Sequence, residues 1–300
     1  MSDQDRYASP RAVEQAIKDA AKTAHEADPA RLVDDLIRQA HYDRFLCRVF
    51  SQGDNSEWVL KGGSAMLARI PNARRTIDAD LFRSGYDKDK ALTELRRMIN
   101  IDLGDFFRFV YRSHRPILAD DIQPYADGYR VTFDAFLGVT QLDPINVDLS
   151  AHEGATDNIT ATEPANRLLL PKLVGVPYRL YPIANQVADK VCATLATYGG
   201  KPSSREKDAV DLVVIAITQV VEADALTEAI RLECRKRHLL FPSRFRIPTH
   251  WGTSYAKHAR HTPAEPYNIT AVQALMDVFI GSILAGTATG TWDPTTKIWA

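Results

Sequence analysis

The chain has 300 residues, of which 45% are hydrophobic and 25% charged, and a formal net charge of -1. That is a globular composition with length for one large domain or two ordinary ones. No run reaches the roughly 18–20 apolar residues of a membrane span, and residues 1–11 have no apolar signal core. Cys47, Cys192 and Cys234 lie too far apart to pair at metal-ligand spacing, so a cytoplasmic protein with reduced, buried thiols and no membrane partner is expected.

Residues 10–50 read as helical, because Val13, Ile17, Ala20 and Ala21, then Leu32, Leu36, Ile37, Ala40 and Phe45, recur at helical spacing. Pro29 would open the second helix, with Asp28 as its N-cap. A short strand is expected over Glu57–Leu60, broken by Gly62 and Gly63, with Ser64 starting a helix to about Arg69. Thr76–Phe82 has strand character, Lys88–Asn100 is helical, and Phe106–Tyr111, Tyr129–Leu137 and Ile145–Leu149 are aromatic and β-branched strand candidates. From about residue 185 the pattern becomes helical, over 185–198, 206–221, 224–236 and 270–285. The layout is α/β (α+β): N-terminal helices over 1–50 packing on a core, a mixed-sheet domain over 51–180, and a mostly helical domain over 181–300.

The chemistry concentrates where carboxylates fall on strands. Alternation places Thr76, Asp78 and Asp80 on one face, with Ile77, Ala79 and Leu81 on the other. Two carboxylates so placed repel each other unless a cation joins them, and Mg²⁺ takes one or two carboxylates beside substrate phosphates. Asp148, alone among apolar neighbours in Ile145–Leu149, would be a third if its strand lies beside the first. Three carboxylates suit a two-ion centre for nucleotidyl transfer, one ion acting on the attacking hydroxyl and the other on the triphosphate. An Asp-x-Asp at an exposed strand end is the plainer reading.

The preceding turn strengthens the first reading. Lys61-Gly62-Gly63-Ser64 joins a strand to a helix, and glycines at a helix start let backbone N–H groups approach a phosphate closely. Ser64 would cap the helix, touch the phosphate, or do both. Thirteen residues separate Ser64 from Asp78.

The run Leu60-Lys61-Gly62-Gly63-Ser64 followed by Arg75-Thr76-Ile77-Asp78-Ala79-Asp80-Leu81 resembles the AbiEii-type nucleotidyltransferase toxins. These belong to the polymerase-β-like superfamily and include the mycobacterial MenT toxins. Gly63, Ser64, Asp78, Asp80 and Asp148 match the superfamily pattern, and Lys190 with Arg205, Lys207, Asp208 and Asp211 resembles its later Lys and Arg-x-Lys-Asp-x-x-Asp segment. The resemblance spans roughly residues 57–216. It implies a polymerase-β-like core and a catalytic set of Asp78, Asp80, Asp148, Lys190 and Asp211. The nucleotide would be held by Lys61, Gly62, Gly63, Ser64, Lys190, Arg205 and Asp208, and metal by Asp78, Asp80 and Asp148. The implied reaction moves a pyrimidine nucleotide, CMP from CTP, with Mg²⁺, to the 3′ end of tRNA, blocking aminoacylation. A cognate antitoxin is implied as well. Nucleotidylation of a protein hydroxyl, or a nucleotide-binding module without transfer, are the alternatives.

On physical grounds Lys190 lies on a largely apolar helix and needs a partner or a ligand there. Arg205, Asp208 and Asp211, spaced by three, share a helix face and form either a structural ion network or a holder for Lys190. Which of Asp208 and Asp211 is the functional acid stays open. Arg74, Arg75 and Arg83, and Arg235, Lys236 and Arg237 in a second basic cluster, are candidate RNA contacts, though solvated helix faces look the same. Thr76 shares the face of the acids, so phosphate added there would repel a triphosphate; the family's antitoxin-linked phosphorylation makes it a regulatory candidate. His258, His261 and Glu265 read as surface residues rather than metal ligands. Tyr198-Gly199-Gly200-Lys201 reads equally as a phosphate contact or a helix end.

Overall fold

The computed structural model describes residues 6–117, 128–151, 159–198 and 201–300. Its contacts divide into two units: one extends to Tyr181, except that Asn72–Arg74 group with the second, which runs from Pro182.

The first unit opens with α1 (Pro10–Ala27), where Ser9 accepts from the Ala12 N–H at 3.2 Å and proline takes the first turn. Asp28 does not cap the next helix. It ends α1, its N–H bonded to the Ala24 carbonyl, and its carboxylate takes the Ala30 N–H in a local turn. Helix α2 (Val33–Val49) therefore starts later than Pro29 suggests. After it come β1 (Trp58–Lys61), α3 (Gly62–Arg69), β2 (Ala79–Arg83) and α4 (Lys88–Met98). The strands β3 (Phe107–Pro116), β4 (Gly128–Leu137), β5 (Thr140–Gln141), β6 (Ile145–Ala151), β7 (Thr160–Thr162) and β8 (Tyr178–Leu180) complete the unit.

One mixed sheet runs β3-β4-β6-β2-β1-β8-β7, with β5 on β4. β2 is parallel to β6 and β1 to β8, while the other pairs are antiparallel. Its inner face (Leu60, Ala79, Leu81, Val131, Phe133, Val147 and Leu149) joins Val13, Ile17, Leu36, Phe45, Leu92 and Leu95 of the helices in one core. The outer face is polar along β4 and β6, with a small apolar cluster of Val59, Phe82 and Tyr181 at the β1 side. α2 also buries charge. Arg48 grips Asp105 through two bonds of 3.0 and 2.7 Å, and Arg44, Arg167 and the Tyr178 hydroxyl converge on Asp43.

The second unit is mostly helical: α5 (Ile183–Leu195), α6 (Glu206–Thr218), α7 (Ala223–Lys236), α8 (Gly252–Ala259), α9 (Ile269–Phe279) and α10 (Gly281–Leu284). The run expected over 270–285 is thus two helices, and α8 falls where no helix is expected. Strands β9 (Thr197–Tyr198) and β10 (Lys201–Pro202) pair with each other. β11 (Val221–Glu222), β12 (Thr291–Asp293) and β13 (Ile298–Trp299) form a small sheet whose central strand contributes the buried Trp292. Gly199 and Gly200 lie outside the described residues, so the phosphate-contact reading of that turn has no structural counterpart here. No helix among the described residues is long and apolar enough to cross a membrane.

Candidate functional site

β1 ends at Lys61 and the chain turns at Gly62, whose φ of +57° lies in the left-handed region that glycine enters without penalty. Helix α3 begins at once, with Lys61 as its N-cap, whose side chain makes no capping hydrogen bond. Ser64 is not a cap: its hydroxyl donates to the Asp78 carbonyl at 2.7 Å and so ties the helix start to the returning chain. The close fit extends to both glycines. A Cβ on Gly62 would stand 1.9 Å from Asp80 Oδ2, and one on Gly63 2.9 Å from Thr76 Cβ.

Strand β2 starts at Ala79, so Thr76 and Asp78 precede it in a bend rather than extending it, and Ile77 is 58% exposed instead of packing inward. Thr76 and Asp78 nevertheless lie together, the Thr76 hydroxyl donating to Asp78 Oδ1 at 2.8 Å. The Tyr42 hydroxyl holds the same bend from α2, donating to the Ile77 carbonyl at 2.6 Å. Asp80 pairs in register with Lys61 on β1 and with Asp148 on β6. Paired residues project from the same face of a sheet, so Asp80 and Asp148 are neighbours on the outer face, as the side-by-side expectation required. Lys61 Nζ lies 4.8 Å from the Tyr181 ring centre and 5.5 Å from that of Phe82.

Arg130 is the residue that sequence reasoning missed. Opposite Asp148 on β4, it holds both carboxylate oxygens at 2.7 Å. A bidentate guanidinium is a strong partner for a carboxylate, and Asp148 is only 7% exposed. Alternation along Tyr129–Leu137 puts Arg130 on the polar face, but the partner follows only from the β4–β6 register.

This arrangement bears on a divalent ion. Asp80 packs directly on the Gly62 turn, where a Cβ would meet its carboxylate, and Asp78 is held in the bend by Ser64 and Thr76. Carboxylates are the donors that suit a Mg²⁺ that keeps waters and takes phosphate oxygens. Asp148 has both oxygens on Arg130, and no group of three or more His, Cys, Asp or Glu among the described residues is gathered for a metal.

In the second unit Lys190, Arg205, Asp208 and Asp211 come together. Lys190 Nζ donates to Asp208 at 2.9 Å and Asp211 at 2.7 Å, and Arg205 reaches the other Asp208 oxygen at 2.5 Å. Arg74 adds a 3.3 Å contact to Asp211. Burial pulls the Lys190 ammonium down, but the two carboxylates outweigh it and leave its pKa raised. Burial pushes Asp208 up, yet Lys190 and Arg205 bring it down to about 2. Lys190 and Asp208 are thus both charged at neutral pH. Lys207 is not a member; it helps lower the pKa of His258, which burial depresses first.

The basic candidates separate. Arg83 is buried, paired with Glu57 at 2.7 Å and lying over the rings of Trp58 and Tyr86. Arg237 is buried against Glu233. Neither is placed to meet RNA. Arg75 is exposed but paired with Asp35 at 2.9 Å, Arg235 is exposed with Glu228 at 3.0 Å, and Lys236 is half-buried.

The family model of the nucleotidyl transferase AbiEii toxin, type IV TA system, matches residues 44–289. No curated protein matches the chain. Among solved structures, MenT4, a nucleotidyltransferase toxin from Mycobacterium tuberculosis, is similar at 13% identity and a TM-score of 0.47, over 84% of this chain and 93% of that one. JHP933 from Helicobacter pylori is similar at 13% identity and a TM-score of 0.40, over 86% and 85%.

Proposed function

Because the chain belongs to the AbiEii family of nucleotidyltransferase toxins of type IV toxin–antitoxin systems, we propose that it transfers a nucleoside monophosphate from an NTP, with CTP the preferred donor, to the 3′ end of tRNA. The modified tRNA would no longer be aminoacylated, and translation would stop. The observation that supports transfer most directly is the placement of Asp80 against the Gly62 turn, in register with Asp148.

In this reading residues 51–180 are the transfer domain, with the helices of 1–50 packed on it and 181–300 as a separate helical domain. The start of α3 faces the phosphates, and Gly62 and Gly63 let Asp80 and Thr76 pack against that turn. Ser64 spends its proton on the Asp78 carbonyl, so its role is to fix the Asp78 bend. Lys61 stands over two rings at the same turn and supplies a fixed positive charge for the phosphate chain. Asp78 and Asp80, with Asp148 beside Asp80 in register, would hold Mg²⁺, which would neutralise charge on the triphosphate and leaving pyrophosphate and acidify the attacking hydroxyl. Asp148 orients Arg130 beside them. Lys190 and Asp211, with Arg205 and Asp208, form a second functional group needed for transfer.

The test is incorporation into total tRNA of each NTP labelled at the α-phosphate, with Mg²⁺, comparing the wild type with Asp80→Ala. Label on tRNA from CTP, lost in the variant, is expected. Label on protein after lysate is added would replace tRNA by a protein hydroxyl as acceptor. Binding of NTP with no label anywhere would leave a nucleotide-binding module.

A cognate antitoxin is part of the proposal, with Thr76 as its point of control. The Thr76 hydroxyl already touches Asp78, so a phosphate there would bring about two negative charges onto the carboxylates. Mass spectrometry after co-expression with the antitoxin should find phosphate on Thr76; an unmodified Thr76 in silenced protein would remove this role.

A further inference from the structure

The sheet register carries a row of charges from the candidate site to the edge of the sheet. Arg115 on β3 faces Arg130 on β4, Arg130 faces Asp148 on β6, Asp148 faces Asp80 on β2, and Asp80 faces Lys61 on β1. All five project from the outer face, and with neighbouring strands about 4.8 Å apart, Arg115 stands ~14 Å from Asp80. The row is anionic over the carboxylates and cationic from there to the edge.

The rest of that edge has the same sign. β3 contains Arg108, Arg112, His114 and Arg115 and no acid. Arg108 is exposed, lies 4.3 Å from the Phe136 ring centre, and has no ion pair with any described residue. Arg112 pairs with Asp134, which is the one acid of β4. Val110, 39% exposed, continues the apolar strip beside Phe136 on the same face. Charges on an edge strand deter pairing with another sheet. That role accounts for β3 but not for Arg130, which is on an interior strand and aimed at the site.

We propose that the outer face of β3 and β4 is the track along which the 3′ segment of a single-stranded RNA acceptor reaches Asp78 and Asp80. Arg108, Arg112 and Arg115 take its phosphates, Phe136 and Val110 offer a base an apolar platform, and Arg130 takes the phosphate nearest the carboxylates. Cationic grooves with aromatic platforms hold single strands in this way without reading their sequence. The proposal rests on the reading of the chain as an RNA-modifying transferase, but binding tests it separately from transfer.

The experiment measures anisotropy of a 5′-fluorescein single-stranded RNA with a free 3′-OH, and of labelled tRNA, on the full chain across a salt series. The R108E/R115E double variant should bind at least tenfold more weakly, with a log K against log salt slope shallower by about one to two. R108Q/R115Q should fall between it and the wild type, which guards against a folding defect, and K22E, at an exposed position of α1, should stay within twofold of the wild type. Asp80→Ala should bind RNA like the wild type while losing transfer. Wild-type affinity in the double variant, or no RNA binding by the wild type, overturns the proposal. So does a double variant that keeps RNA affinity and loses only the co-expressed antitoxin. If the binding results hold and no nucleotide is transferred, the track stands and the transfer reading falls.

Discussion

An added methyl at Gly62 would meet the Asp80 carboxylate at 1.9 Å, in a backbone conformation with φ of +57° that side chains rarely adopt. Gly62→Ala must therefore displace the carboxylate as well as strain the turn. The expected result is a loss of transfer of at least a hundredfold with about 1–3 kcal/mol of lost stability, read by label incorporation and urea denaturation. Gly63→Ala, where the near neighbour is the Thr76 side chain, should cost less. A different signature belongs to Asp208, whose pKa of about 2 lies below its ordinary 3.8. A depressed carboxylate contributes stability that is fully present above pH 3.8 and is lost as pH falls through 2. Asp208→Asn should thus cost on the order of 2 kcal/mol near neutrality, and the gap from the wild type should narrow below pH 3. A constant gap from pH 6 to 2.5 would contradict the ion network. At this scale residue type and spacing suffice to expect the glycine turn facing Asp80 and Lys190 beside Asp208 and Asp211, and the structure brings each set together. Sequence reading missed Arg130, whose role depends on which strand lies next to it.

Among the elements, α2 shows why a periodic pattern misleads where charge is buried. Its core side includes Asp43, Arg44 and Arg48 as well as Leu36, Ala40 and Phe45, and polar letters on the inward face blur the helix stripe. The ion pairs tie α2 to the entrance of β3 through Asp105. Asp105→Ala would strand the Arg48 guanidinium, 1% exposed, without its carboxylate. A loss of about 3–5 kcal/mol is expected, and replacing both partners by apolar residues should recover much of it in denaturation curves. Strands β7 and β8 were unreadable for another reason: three residues hold too little alternation to stand out. Helix α8 likewise has only Tyr255 and Ala259 buried. The start of α2 was misplaced because Asp28 ends one helix and does not open the next.

For the molecule as a whole, a net charge of -1 says little about its partner, since cations can gather locally, as on β3, which has no acid. RNA affinity should fall steeply with salt despite that near-neutral total, and a flat salt response would mean the arginines of the sheet edge do not meet phosphate. The order of strands in space differs from their order in the chain: β2 waits for β6, and β1 waits for β8, more than a hundred residues downstream of it. On a ribosome adding ~5–20 residues per second, the glycine turn and the Asp-x-Asp emerge ~5–20 seconds before the last parallel neighbour of β1 exists. The sheet around the glycine turn is therefore incomplete through most of the chain's synthesis, and on the proposed reading transfer waits for it. Stalled chains ending before Tyr178 should be cut by protease within the first unit and fail to label tRNA, whereas chains released at full length should resist and label it.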